Sequence, residues 1–278
     1  MHDPAVIRAQ FAELIGRDDE QIELARAALL VAAEDDAALD VGACLATLDA
    51  WGTALAAGLA ADATSVQRLA RLRAFMFEEL GFRGDVRDYY SPENSLLNAV
   101  MQRRLGIPLT LGIVFMELGW RIGLRFEGVA FPGHFLVRLA GEESDLLLDP
   151  FDHGTSVHED DCRRMIAASS QGTLAYEPGM IRSVTRRDMV ARLLLNLKVA
   201  RLRAGDSPGA LAAVEKLLVL FPDSAPELRD RGLLQYQLDR YRPALEALEE
   251  YLRLRPDAVD RAEVERVALT LRMMLAAH

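Results

Sequence analysis

An echo at a fixed spacing of 34 residues constrains this chain more than any other feature. Ala210-Leu211 returns as Ala244-Leu245, Ala213 as Ala247, and Phe221-Pro222 as Arg255-Pro256. A sequence that repeats at this length folds as stacked helix pairs, because one pair cannot bury its apolar face without its neighbour. The C-terminal third is therefore expected to be all-helical and to end in a helix that covers the last apolar face.

The period and the placing of Gly232, Leu233, Tyr236, Ala244, Ala247, Tyr251 and Pro256 identify the repeat as tetratricopeptide. Units over residues 192–223 and 225–257 are expected, with a capping helix over 259–276, all within a domain at 189–278. Upstream, residues 1–82 read as helices that pack on the central region of the chain. Val6, Ile7, Phe11, Leu14 and Ile15 share one helical face, and Val66, Leu69, Leu72, Phe75, Met76 and Leu80 share another, stopped at Gly81. Residues 83–185 have a different texture. A turn-rich stretch at 84–94 leads to a helix from Ser95 to Arg104. Gly106-Ile107-Pro108 then breaks the chain and opens a second helix that runs to Gly123. Strand-like runs come next at 125–131, 134–139 and 145–148, separated by Pro132-Gly133 and Gly141-Glu142-Glu143. The expected class is α+β.

Composition narrows the function. No apolar run reaches the roughly 18 residues a membrane span needs, and Met1-His2-Asp3-Pro4 lacks the basic and apolar pattern of a secretory signal. Two cysteines, Cys44 and Cys162, exclude a disulfide framework, and a reducing, cytoplasmic setting is expected. A net charge of −10 argues against direct nucleic-acid binding. Of 32 basic residues all but Lys198 and Lys216 are arginine, and they are scattered, which suits an acidic monomer.

The residues with chemical potential lie in the strand region. His134 opens one strand and Asp149 closes the next, so antiparallel pairing can set them side by side, as the base half of a nucleophilic triad. Residue types alone supply no obvious nucleophile, and a histidine satisfied within a core is the alternative. His134, Asp149, His153 and His158 lack metal-ligand spacing, so neither metal nor cofactor is expected. Cys44 reads as a small buried hydrophobe. Cys162 follows Asp160-Asp161, whose charge opposes a thiolate.

Several blocks, in order, carry a family resemblance: Asp88-Tyr89-Tyr90-Ser91-Pro92-Glu93-Asn94-Ser95, then Asn98, Arg103 through Leu111, Pro132 through Arg138, and Asp149-Pro150-Phe151. The chain resembles the SirB-type family of bacterial proteins, in which a transglutaminase-like core precedes tetratricopeptide repeats. That resemblance implies a papain-like helix-plus-antiparallel-sheet core with a Cys-His-Asp triad position. It carries His134 and Asp149 onto the base and acid. The nucleophile position, fifteen residues before Gly123-Leu124, falls on Pro108, which has neither thiol nor N–H. Thr110 is the nearest hydroxyl, about 200° around the helix from Pro108.

The other residues of these blocks have two readings each. Asn94 and Asn98 brace the loop before Gly106 or line a binding cleft. Arg103 ion-pairs with Asp85 or Asp88, or meets an acidic ligand. Arg138 shares a sheet face with His134 and is expected in the same cleft. The favoured function is a non-catalytic scaffold that binds a protein or peptide through the repeat groove, the core cleft or both. The alternative is a residual hydrolase or acyl transferase on peptide amides, with His134 and Asp149 activating water or Thr110. A regulatory role, as the family's name suggests, would be indirect.

Overall fold

The computed structural model describes residues 3–141 and 145–276; Met1, His2 and the expected turn residues Glu142 and Glu143 lie outside the described residues. The chain forms two compact units, Met1–Leu193 and Leu194–His278. No described helix is long and apolar enough to cross a membrane.

The first unit begins with α1 (Pro4–Ile15), where the Asp3 carboxylate accepts the Ala5 N–H at 2.9 Å and Pro4 fills the first helical position. α2 (Leu24–Ala33) buries nine of its ten residues, as a helix apolar all round must. α3 (Val41–Ala57) and α4 (Ser65–Arg73) complete this layer. The expected helix through Leu80 changes pitch: after Arg73 it continues as a π turn, Ala74–Glu79, and Gly81 ends it at φ 73°.

Two short parallel strands, β1 (Arg83–Gly84) and β2 (Leu105–Gly106), bracket α5 (Leu97–Arg103). α5 starts two residues later than expected, because Pro92–Ser95 is a 3-10 turn and Leu96 is extended. α6 (Pro108–Arg121) follows, with every residue from Pro108 to Gly119 buried. β3 (Phe126–Phe131), β4 (His134–Leu139), β5 (Leu146–Asp149), β6 (Thr155–Ser156) and β7 (Arg182–Val184) form an antiparallel sheet ordered β6-β5-β4-β3-β7. The β3–β4 hairpin runs from the Phe126↔Leu139 pair to Phe131↔His134, and Val137 pairs Leu148 on β5.

α6 lies close on one face of this sheet. A Cβ at Gly112 would meet Phe135 at 2.6 Å, and one at Gly119 would meet Phe126 at 2.1 Å. On the other face Val129, Phe131 and Leu136 pack against Cys162 and Ile166 of α7 (Glu159–Ser169). Neither α7 nor β7 is expected from the sequence. Glu117 on α6 joins the layers: it accepts the buried Ala25 N–H at 2.9 Å and pairs with Arg121 at 2.6 Å, which in turn pairs with Asp49 on α3 at 2.9 Å.

α8 (Arg186–Arg203) begins in the first unit and ends in the second. In the second unit α9 (Ser207–Leu220), α10 (Ala225–Gln237), α11 (Tyr241–Leu254) and α12 (Arg261–Ala276) follow. The repeated small residues mark close helix approaches: Ala210, Ala244 and Ala247 are fully buried, and a Cβ at Gly232 would meet Leu248 at 2.5 Å. α12 buries Val264, Ala268 and Leu271. Both lysines are buried. Lys198 donates to Glu227 at 2.8 and 2.9 Å and to Asp230 at 3.0 Å, tying α8 to α10. Burial opposes its charge, but the bonds to Glu227 and Asp230 outweigh it and raise its pKa.

Two stability effects are expected in urea unfolding. Lys198→Ala leaves Glu227 buried and unpaired, and should cost about 3–5 kcal/mol. Gly112→Ala forces α6 off Phe135 and should cost about 1–3 kcal/mol.

Candidate functional site

Asp149 ends β5 and caps the 3-10 turn Pro150–Asp152, and this double duty fixes its side chain. Oδ1 accepts the Phe151 N–H at 2.9 Å, and Oδ2 meets His134 Nε2 at 2.8 Å. His134 is the first residue of β4, directly after Gly133 at φ 70°. A carboxylate only accepts, so Nε2 carries the proton and, in the neutral ring, Nδ1 is the basic nitrogen. Nδ1 has no hydrogen-bond partner among the described residues. The Phe151 ring stands edge-on to His134, with centroids 5.9 Å apart, and it fills the space left by the missing side chain of Gly84. Tyr89 meets Phe151 at 6.3 Å. His134 and Asp149 line an open depression of about 540 Å³ together with Gly133, Ser156, Asp161 and Ser169. That volume falls within the range of ligand sites.

The contacts of Gly112 and Gly119 show that α6 runs from the His134 end of β4 toward Leu139. Pro108, its first residue, is buried at that end and offers no nucleophilic atom. Thr110 is fully buried, and its hydroxyl is engaged: it donates to the Asn94 carbonyl at 2.8 Å and accepts the Ile107 N–H at 3.1 Å. No hydrogen bond joins Thr110 to His134 among the described residues.

Asn94 and Arg103 belong to a bracing cluster around Asp85. Asp85 accepts the Arg87 and Asp88 N–H groups at 3.2 and 3.0 Å, Asn94 Nδ2 at 3.2 Å and Arg103 at 3.3 Å. Arg103 also bonds Asn94 Oδ1 and Glu93, each at 3.1 Å. The Asp88 amide first, helped by Asn94, Arg87 and Arg103 against burial, holds the Asp85 carboxyl below its ordinary pKa. Asn98 does not share this bracing. Leu96 interrupts the helix between the two asparagines, and Asn98 Oδ1 is buried without a partner among the described residues. Arg138 is also placed differently from expectation. It bonds Ser183 at 2.7 Å and lines a separate depression with Asp145 and Tyr176. Four residues along a strand is about 13 Å, which alternation of faces does not shorten.

Burial raises both thiols, aided by Asp40 at Cys44 and by Asp161 and Glu159 at Cys162. Among the described residues no group of three or more His, Cys, Asp or Glu side chains is placed to hold a metal. Sequence reasoning misses Arg192 of α8, whose Nη2 donates to the His134 carbonyl at 2.6 Å. Backbone acceptors leave no residue-type signal to find it by.

Residues 42–195 match the transglutaminase-like superfamily, and residues 197–269 match the tetratricopeptide repeat. The fold is thus a transglutaminase-like core followed by repeats. The chain is 31% identical to a UPF0162 protein of Xylella fastidiosa over 242 residues, 86% of each chain. It is 32% identical to a UPF0162 protein of Pseudomonas aeruginosa over 216 residues, 78% of each, and 32% identical to one of Vibrio cholerae over 180 residues, 63% of this chain and 66% of that one. The chain belongs to the UPF0162 family.

Asp85 has a depressed pKa, so its contribution to stability is present above the ordinary carboxylate value and is lost as pH falls through the lower folded value. Acid titration should therefore weaken the fold below about pH 4. Asp85→Asn should lose about 1–3 kcal/mol at neutral pH and flatten that acid limb, as read by thermal unfolding across pH.

Proposed function

We propose that this protein is a cytoplasmic, SirB-type scaffold that binds a protein or peptide segment and does not transfer acyl groups. Tetratricopeptide repeats generally mediate protein–protein contacts, and they form the second unit here. The single observation that carries the non-catalytic reading is the α6 entrance. Pro108 has no nucleophile, and the nearby hydroxyl of Thr110 is buried and engaged with Asn94 and Ile107. Thr is activated only by a base in contact with it.

The His134–Asp149 pair is then a recognition element. The ordered ring presents Nδ1 as an acceptor, and the neighbouring Phe151 and Tyr89 offer apolar surface. An extended segment bearing backbone N–H groups satisfies both features. A net charge of −10 supports partners other than nucleic acid.

The test is a peptide array probed with the full chain, with retained peptides then titrated against wild type, His134→Ala and Asp149→Asn. Peptides bound by wild type should bind both variants about tenfold or more weakly, the scale of one lost buried hydrogen bond, with unfolding midpoints unchanged. Equal affinity for His134→Ala would overturn the cleft reading and leave the repeats as the binding surface.

A further inference from the structure

We propose that Arg192 is a positioning residue that holds the His134 imidazole in register with Asp149; this rests on reading that pair as a working site. Arg192 lies on α8, 58 residues along the chain from His134. Its Nη2 donates to the His134 carbonyl at 2.6 Å and to the Phe131 carbonyl at 3.5 Å. Phe131 and His134 are the closing pair of the β3–β4 hairpin, on either side of Pro132-Gly133. One guanidinium nitrogen therefore clips both ends of the turn from which the imidazole projects.

The clip is itself well supported. The guanidinium carbon lies 5.9 Å from the centroid of the Phe135 ring, the next residue on β4. The stretch of α8 around it is anchored by Met189, Val190 and Leu193, all buried. A Cβ at Gly128 of β3 would meet Met189 Sδ at 2.7 Å, so α8 sits directly on the hairpin. Among the described residues no ion pair joins Arg192 to a carboxylate. Its acceptors are two carbonyls at the two ends of one turn, so what it imposes is geometry. Both contacts come from the two N–H groups of one nitrogen at the end of a long side chain, a reach that the shorter glutamine lacks. The consequence falls on a single bond. His134 follows a glycine at φ 70° in a two-residue turn, and a shift of about 1 Å there is enough to loosen the Nε2–Asp149 contact.

The experiment is ring-nitrogen NMR of the full chain in the absence of any partner. In wild type, His134 Nε2–H should give a resolved, slowly exchanging signal, assigned by its loss in Asp149→Ala. Arg192→Gln should speed its exchange by about tenfold or more, as loss of one hydrogen bond would, and Arg192→Lys, which keeps N–H donors, by less, while the backbone spectrum away from the hairpin stays in place. An unchanged signal in Arg192→Gln, or faster exchange in Arg192→Lys than in Arg192→Gln, would overturn the proposal. Should both variants fail to fold, the wild-type guanidinium decides. Separate Nη signals are expected from a nitrogen held by two carbonyls, and a single averaged signal would contradict the clip. No outcome depends on a bound peptide, so failure here leaves the peptide-array test standing.

Discussion

The distance between α6 and β4 governs the first unit, and two missing side chains set it. Gly112 and Gly119 lie two turns apart on α6 and admit the rings of Phe135 and Phe126 into the helix surface. With α6 held this low, its N-terminus comes to the His134 end of β4, and β1 and β2 settle beside it. The Gly84 gap then receives Phe151, whose backbone N–H is in turn the donor to Asp149. Packing, turn and dyad are thus successive consequences of one close helix–sheet contact.

The same contact shapes the α6 entrance. Proline suits the first helical position, where the missing N–H has no intrahelical acceptor to disappoint. Thr110, at the third position, then closes the helix entrance onto the Asn94 loop. The Asp85, Asn94 and Arg103 cluster fixes that loop from behind. The hydrogen-bonded His134–Asp149 pair lines an open depression together with Asp161, Met165 and Ser169 of α7. A depression of that size with a few convergent polar groups has the character of a ligand site.

Much of this is legible in the sequence, for identifiable reasons. The 34-residue echo is the packing of Ala210, Ala244 and Ala247 at close helix crossings, where only small residues fit. The hairpin announces itself because Pro132-Gly133 must turn, with apolar strand-forming runs on either side. α7 stays hidden because only Cys162 and Ile166 of it are buried, too few to set up a periodic signal. β7 is three largely exposed residues on a sheet edge. Arg138 shares the expected sheet face but lines a different depression, since alternation fixes side and says nothing about distance. Arg192 binds carbonyls, which every residue carries, so no sequence pattern marks its partners.

Our proposal is that His134 and Asp149 have no nucleophile to serve. It is tested most directly by incubating wild type and His134→Ala with a pool of fluorogenic peptide amides, and tracking release together with the intact protein mass. Equal, background release for both proteins and no acylated species are expected. Release by wild type above that of His134→Ala, or a mass increase matching an acyl adduct, would contradict it.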